Sequence, residues 1–418
     1  MTLTIRDARL LDRDELVDVV LADGAIRSIG AAGAAGAAAA QAAGETLEAG
    51  GGLLTPSFVE PHFHADKAFT FPRVGALEDP SIDAIVERCT RIKSQYTHED
   101  VVARASRALE LAVGHGVGAV RVQVDVDHVS GFVGLDALVE VRERFAELLD
   151  IQLVAFPQYS ILEDGGHGEQ LLREALRRGA DVLGGAPDVE ATAADRARHI
   201  ERLFAIAGEL DADLDVHCDF SDDPRQRDLG AVARATLATG RVGRVTAVHC
   251  CALEALPDVV AAEDIDAVRR AGVQVCICPV GNMQLVGDAE RMPRGRGTAR
   301  VRELLAAGVN VAAGSDNLHD MWFRFGRMDP LDTALMACLA ARMRTDAEVR
   351  EAFELVTARA ARFMSAPGGV VREGAPADLV LFSVQTLDDV LRRAPGRRTT
   401  IKRGRVVGGA ESRTWVAR

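Results

Sequence analysis

The chain has 418 residues, 27% charged and 48% apolar, with a formal net charge of -13. At roughly 150 residues per domain this is two or three domains, or one large barrel with additions, and a chain this long needs no disulfide or metal scaffold to build a core. The acidic balance argues against a phosphate-backbone partner, so no nucleic-acid binding is expected.

Lysine occurs only at Lys67, Lys93 and Lys402, and every other basic residue is Arg. Coding from GC-rich DNA explains this together with the Ala richness, but a Lys inside a motif then stands out. The seven Cys show no framework spacing: Cys250-Cys251 and Cys276-x-Cys278 are the only close sets. Free thiols in a reducing cytosol fit this best, which points to a cytoplasmic protein. The start of the chain has no basic and apolar leader pattern. The run 31–44 is Ala and Gly with Gln41, too small-sided and too short to span a bilayer; it reads as a loop, and no membrane partner is expected.

In chain order, the first 30 residues alternate apolar and polar, with a turn at Ala22-Asp23-Gly24. The segments 377–382 and 399–407 are strand-like in the same way. Between these strand-rich ends, short apolar runs at 53–58, 118–124, 151–156, 182–186, 214–217, 244–249, 273–278 and 310–314 alternate with helical patterns such as 99–114, 169–178, 194–210 and 298–307. Eight strand–helix repeats predict a parallel (β/α)₈ TIM-like barrel. An open doubly wound sheet would need a Gly-rich phosphate loop after its first strand, and no GxGxxG opens a helix here. The organisation expected is a catalytic barrel over 54–365, with a β-sandwich built from 1–53 and 366–418.

Barrel chemistry sits at the carboxyl ends of the strands. After the first lies Pro61-His62-Phe63-His64-Ala65-Asp66-Lys67, where alternation puts His62 and His64 on one side, able to grip one metal. The fifth ends Val216-His217-Cys218-Asp219, the sixth Val248-His249-Cys250 and the eighth Gly314-Ser315-Asp316-Asn317. Any one of these could be a satisfied structural residue. Together they offer three imidazoles and a carboxylate for a mononuclear site, with one imidazole to spare. A divalent ion in such a set lowers the pKa of bound water toward neutrality and suits hydrolysis at an electrophilic carbon.

With Val154-Ala155-Phe156-Pro157-Gln158 added, these motifs resemble the amidohydrolase superfamily over essentially the whole chain. Within it they resemble the bacterial cytosine deaminase and N-isopropylammelide isopropylaminohydrolase-like branch. The resemblance implies the barrel-plus-sandwich fold and metal ligands His62, His64, His217 and Asp316. It implies that Asp316 also takes a proton from the metal-bound water, and that His249 orients that water. Gln158 would hydrogen-bond the heterocycle. Trp322 would lie against the ring, or serve as an ordinary buried aromatic. Binuclear relatives use a carboxylated Lys on the fourth strand; Val182-Leu183-Gly184-Gly185-Ala186 has none, which supports one divalent ion, zinc or iron(II).

Three positions depart from cytosine deaminase. Phe220 stands where that enzyme carries a Glu proton shuttle, and Asn317 where it has an acidic residue. Lys67 is similar to the triazine-pathway relative; it would pair with a ring carbonyl or oxyanion, unless it is a rim Lys with a packed stem. Asp188 would bind a substrate amine or Lys67. Asp219, Asp222 and Asp223 are expected to orient His217. Gln123, Asp125 and Asp127 end the second strand and would line the pocket.

The expected function is therefore metal-dependent hydrolytic deamination of an amino-substituted N-heterocycle (cytosine-, pterin- or triazine-like), releasing ammonia or a small amine through attack of a metal-bound hydroxide. The alternatives are hydrolysis of a cyclic amide or amidine ring bond on the same site, or a catalytically silent heterocycle-binding barrel. The partner expected is a small heterocycle, and homo-oligomerisation is left open.

Overall fold

The computed structural model describes residues 2–33, 44–75, 79, 81–286, 295–365, 368–393 and 396–417. The alternating segments at the start of the chain pair as hairpins. Strands β1 (Thr2–Ala8), β2 (Val17–Ala22), β3 (Ala25–Ala31) and β4 (Glu45–Glu48) form a sheet of order β3-β2-β1-β4. Of the expected loop 31–44, residues 34–43 lie outside the described residues.

Next come β5 (Leu54–Pro56) and the first barrel strand, β6 (Phe58–Phe63). The barrel continues through β7 (Val117–Asp125), β8 (Asp150–Phe156), β9 (Val182–Gly185), β10 (Asp213–Cys218), β11 (Val245–His249), β12 (Gln274–Ile277) and β13 (Val311–Ala313). All eight pair in parallel in sequence order, with helices such as His98–Gly114, Ala193–Leu210 and Asp258–Ala271 in the crossovers. This is the (β/α)₈ architecture that eight strand–helix repeats demand. Finally β14 (Leu379–Phe382), β15 (Arg397–Lys402) and β16 (Arg405–Glu411) join β5 in a second small sheet, β16-β15-β14-β5. Leu3, Ile5, Val19 and Leu21 of the first small sheet share one buried cluster with Leu54, Leu379 and Ile401 of the second.

One strand differs from expectation. The apolar run 53–58 is not the first barrel strand: Leu54–Pro56 pairs antiparallel with β14, and the barrel strand starts at Phe58. The break falls at Ser57, whose N–H turns to Asp378 O at 2.9 Å. The barrel strand hides from a hydropathy reading because its buried positions include Glu60 and His62.

The ring closes through the site itself. Asp316 N donates to His62 O, and His64 N donates to Asp316 O, each at 2.9 Å. All seven cysteines are unbridged. Among the described residues no helix is long and apolar enough to cross a membrane.

A buried ion pair ties the second small sheet to the barrel. Arg398 of β15 places Nη1 2.9 Å from Asp329, whose carboxylate also caps the helix Pro330–Ala340. Both residues are buried. Arg398→Met would leave that carboxylate buried without its cation, so urea unfolding should show a loss of about 3 kcal/mol. A loss below about 1 kcal/mol would mean the pair is screened like a surface bridge.

Candidate active site

The carboxyl ends of β6, β10, β11 and β13 bring His62, His64, His217, His249 and Asp316 together. The imidazoles of His62, His64 and His217 bring ligand-capable nitrogens within 4.8 Å of one another. Asp316 Oδ1 lies 3.5 Å from both His62 Nε2 and His64 Nε2. His249 stands beside them, its ring centroid 5.0 Å from that of His217.

The backbone is bent to make this convergence. His249 and Asp316 hold positive φ angles, 68° and 66°, which non-glycine residues seldom adopt. Such strain persists where surroundings over-determine it, and the two closing hydrogen bonds do so at Asp316. Gly314 is required for the same closure: a Cβ there would stand 2.9 Å from His62 Cβ and 3.0 Å from Glu60 Oε1. Glu60 clamps the first strand to the eighth, accepting from His62 N at 3.1 Å and Ser315 N at 3.0 Å. Burial pushes its carboxyl up to about 7 despite those donors.

The site's charge states follow from burial. Desolvation, with the other imidazoles and Lys67 nearby, drives His64 and His217 well below the usual histidine range. Burial takes His249 down to about 4, although Asp316 opposes it. Neutral imidazole is the form that binds metal. Burial alone would raise Asp316, but contacts with His62, His249 and Lys67 outweigh it and hold the carboxyl below its usual range. His217 Nδ1 and Nε2 and His62 Nε2 are buried without a hydrogen-bond partner. Orphaned buried polar atoms cost about 1–3 kcal/mol each, so three together mark a place that a bound group would satisfy. Neutral nitrogens around a carboxylate fit a divalent cation.

His64, His217, His249 and Asp316 line one cavity of about 650 Å³, and His62 lies beneath it, fully buried. Gln158, Lys67, Asp188, Phe220, Asn317 and Trp322 form its walls around the His/Asp end. Phe220 packs on His249 at 4.8 Å between ring centroids and meets Trp322 edge-on at 6.4 Å. Trp322 is a pocket wall, with its backbone N–H on Asp320. Lys67 is no rim lysine: it is buried, with Nζ 2.7 Å from Gln158 Oε1 and 2.9 Å from Asp125 Oδ1.

Other expected contacts are corrected by the geometry. Asp188 does not pair with Lys67. Its oxygens accept from Asp219 N at 3.0 Å and Phe220 N at 2.9 Å, and burial with Asp219 nearby lifts its carboxyl to about 8. Asp219 does not orient His217, whose ring nitrogens have no partner. It caps the helix Asp228–Thr239 instead, accepting from Asp228 N at 2.8 Å and Leu229 N at 3.0 Å. Asp223 pairs with Arg225. Gln123, Asp125 and Asp127 stand behind the pocket wall: the Gln123 amide lies 3.1 Å from His62 Nδ1, and the two carboxylates grip lysines.

Several contributors escaped sequence reading. Asn282 accepts from His249 Nδ1 at 3.2 Å, and its own amide donates to Cys251 Sγ, which fixes its orientation. The imidazole is thereby held with Nε2 free. Asp320 braces the Trp322 loop and Asn317. The outer cavity wall comes from the helix Ile82–Lys93, through Ile82, Asp83, Val86 and Glu87. None of these carries a motif; only the clustering of polar residues near strand ends hints at Asn282 and Asp320.

A parallel barrel with three imidazoles and a carboxylate converging at its carboxyl-end rim defines the class: an amidohydrolase-type barrel with a candidate metal site. A family model described as Amidohydrolase family matches residues 75–408, and the chain belongs to that family. It is 31% identical over 397 residues to a pterin deaminase of Rhizobium rhizogenes, covering 93% of this chain and 87% of the relative. It is 27% identical to an N-isopropylammelide isopropyl amidohydrolase of a Pseudomonas species, over 97% and 96% of the two chains. The crystal structure of 5-methylcytosine deaminase from Klebsiella pneumoniae with 5-fluorocytosine superposes with a TM-score of 0.90 at 30% identity, over 100% and 99% of the chains. These relatives are deaminases or amine hydrolases of heterocycles.

Proposed function

We propose that this protein is a metal-dependent hydrolytic deaminase of an amino-substituted N-heterocycle, cytosine-, pterin- or triazine-like, releasing ammonia or a small amine. The observation that carries this reading is the set of unpartnered buried imidazole nitrogens beside Asp316 at the closed end of a cavity. His62, His64, His217 and Asp316 would hold one divalent ion, zinc or iron(II). Such an ion acidifies a bound water toward neutral pKa and makes it a nucleophile at pH 7.

The chain's own groups supply the rest. Asp316, ionised, accepts a proton given up by the water. His249 keeps its proton at Nδ1 on Asn282, so Nε2 is the acceptor that orients the water. As the carbon–oxygen bond forms, the ring C=N pair moves onto the ring nitrogen, which takes the first proton. The second, from the hydroxyl now on carbon, passes by the same groups to the exocyclic nitrogen, which leaves as the amine while the carbon–nitrogen bond breaks and a ring carbonyl forms. Lys67 and Gln158, already joined, present an ammonium and an amide to a ring carbonyl or developing oxyanion. Asp188 holds its proton near neutrality and meets a ring or amine nitrogen. Phe220 and Trp322, nearly at right angles to each other, wall the place of the ring, and Asn317 adds an amide at its edge.

The test is turnover of cytosine, guanine-like, pterin-like and triazine amines by zinc- or iron(II)-loaded protein. Release of ammonia or amine from at least one class is expected. Tight heterocycle binding with no turnover of any would contradict the reading and favour a silent binding barrel. Phe220 supports a further expectation. Its ring packs against His249, and by resemblance it stands where cytosine deaminase carries a shuttle Glu, so Phe220→Glu should raise cytosine turnover from near zero, read as ammonia release. Unchanged inactivity would mean that pocket shape, not the missing carboxylate, sets specificity.

A further inference from the structure

Two buried lysines, one in the pocket wall and one behind it, share one carboxylate. Lys67 Nζ lies 2.9 Å from Asp125 Oδ1, and Lys93 Nζ lies 2.9 Å from Asp125 Oδ2. Lys93 also binds Asp127, and its ammonium stands 4.6 Å from the centre of the Tyr159 ring. Only 3% of Lys93 is exposed, so its charge is held entirely by these partners. Nothing in the proposed reaction touches Lys93, and it does not line the cavity.

Charge balance gives this arrangement a purpose. Burial and Asp125 push the neighbouring Asp66 carboxyl up to about 7, so Asp125 and Asp127 are the buried carboxylates that need cations, and without Lys93 the nearest ammonium is that of Lys67. Lys67 would then be drawn back toward the strand end and away from Gln158, 2.7 Å from it now. Lys93 closes the account on the far side of Asp125 and leaves Lys67 facing the cavity. It also anchors the helix Ile82–Lys93, which supplies the outer pocket wall, to the end of β7. In a chain where nearly every other cation is Arg, a compact ammonium at this position fits a three-sided cage that a planar guanidinium would not.

We propose that Lys93 is a positioning residue that acts through Asp125 to hold the Lys67 ammonium on Gln158 and toward the substrate. The proposal rests on the reading of Lys67 as a substrate-binding group, and two separate measurements keep them apart. The first is a crystal structure of Lys93→Met, which needs no substrate. It should show the Lys67–Gln158 contact broken and Lys67 turned toward Asp127; a retained contact overturns the proposal. The second is a cycle of Lys67→Met, Lys93→Met and the double variant on a substrate the wild type turns over. Each single change should lower kcat/KM by about tenfold or more with metal content unchanged, and the double should be no worse than Lys67→Met alone. Losses that multiply overturn the proposal. If Lys67→Met alone is silent, the substrate role of Lys67 fails while the crystallographic result still decides the role of Lys93. Asp127→Asn keeps both cations and removes only one anchor of Lys93. Should Lys93→Met fail to fold, this variant should still weaken the Lys67–Gln158 contact, and an unchanged contact would count against the proposal.

Discussion

His217→Ala is expected to abolish metal retention and to lower turnover by about 10³-fold or more. Both ring nitrogens of His217 are buried without a protein partner, which is the position of a ligand in the proposed metal site. Its removal takes one of three imidazoles from a site whose other members stand within 4.8 Å. Metal analysis of the purified variant beside its rate is the check. Full metal content with undiminished turnover would show that the ligand set is wrong. Fold stability should change little, because the ring stacks only on Phe156 and neighbouring imidazoles.

The second large effect is expected at His249. His249→Gln should leave the metal in place and lower kcat by about 10²–10⁴-fold, the range for losing a positioned proton-transfer group. The reason is its hydrogen-bonded frame. Asn282 Oδ1 accepts a hydrogen bond from His249 Nδ1–H and Cys251 fixes the Asn282 amide, so only Nε2 faces the reaction. Asn282→Leu should lower kcat in the same direction by less, since it loosens the ring without removing it. Loss of metal in His249→Gln would instead make His249 a ligand and shift its role from proton handling to ion binding.

The site was legible from sequence where a functional group follows an apolar strand. His217, His249 and Asp316 could be seen for that reason, and His62 with His64 through their two-residue spacing. The first barrel strand was misplaced by the same logic: Glu60 and His62 interrupt its apolar pattern, while 53–58 is apolar but splits between two sheets at Ser57. Asp219 shows the complementary failure. A carboxylate two residues from a candidate ligand suggests a partner for it, yet Asp219 caps a helix nine residues on. Glu60, Asn282 and Lys93 were invisible as contributors because their partners are distant in the chain; only folding brings Glu60 to Ser315 or Lys93 to Asp125.

The lysine scarcity takes on meaning in the structure. Lys67, Lys93 and Lys402 are all buried and all paired with aspartates. None is a surface charge. Their rarity therefore marks places where the fold encloses a compact ammonium: one in the cavity wall, one behind it and one at the junction of β15 with the barrel.

The central claim is that this site replaces an exocyclic amine by oxygen while leaving the ring whole. Its most direct test is mass analysis of the products from metal-loaded protein and a heterocyclic amine in heavy-oxygen water. The account predicts an intact ring carrying one heavy oxygen in place of the amine, with free ammonia or alkylamine in equal amount. A ring-opened product that retains its exocyclic amine would contradict it.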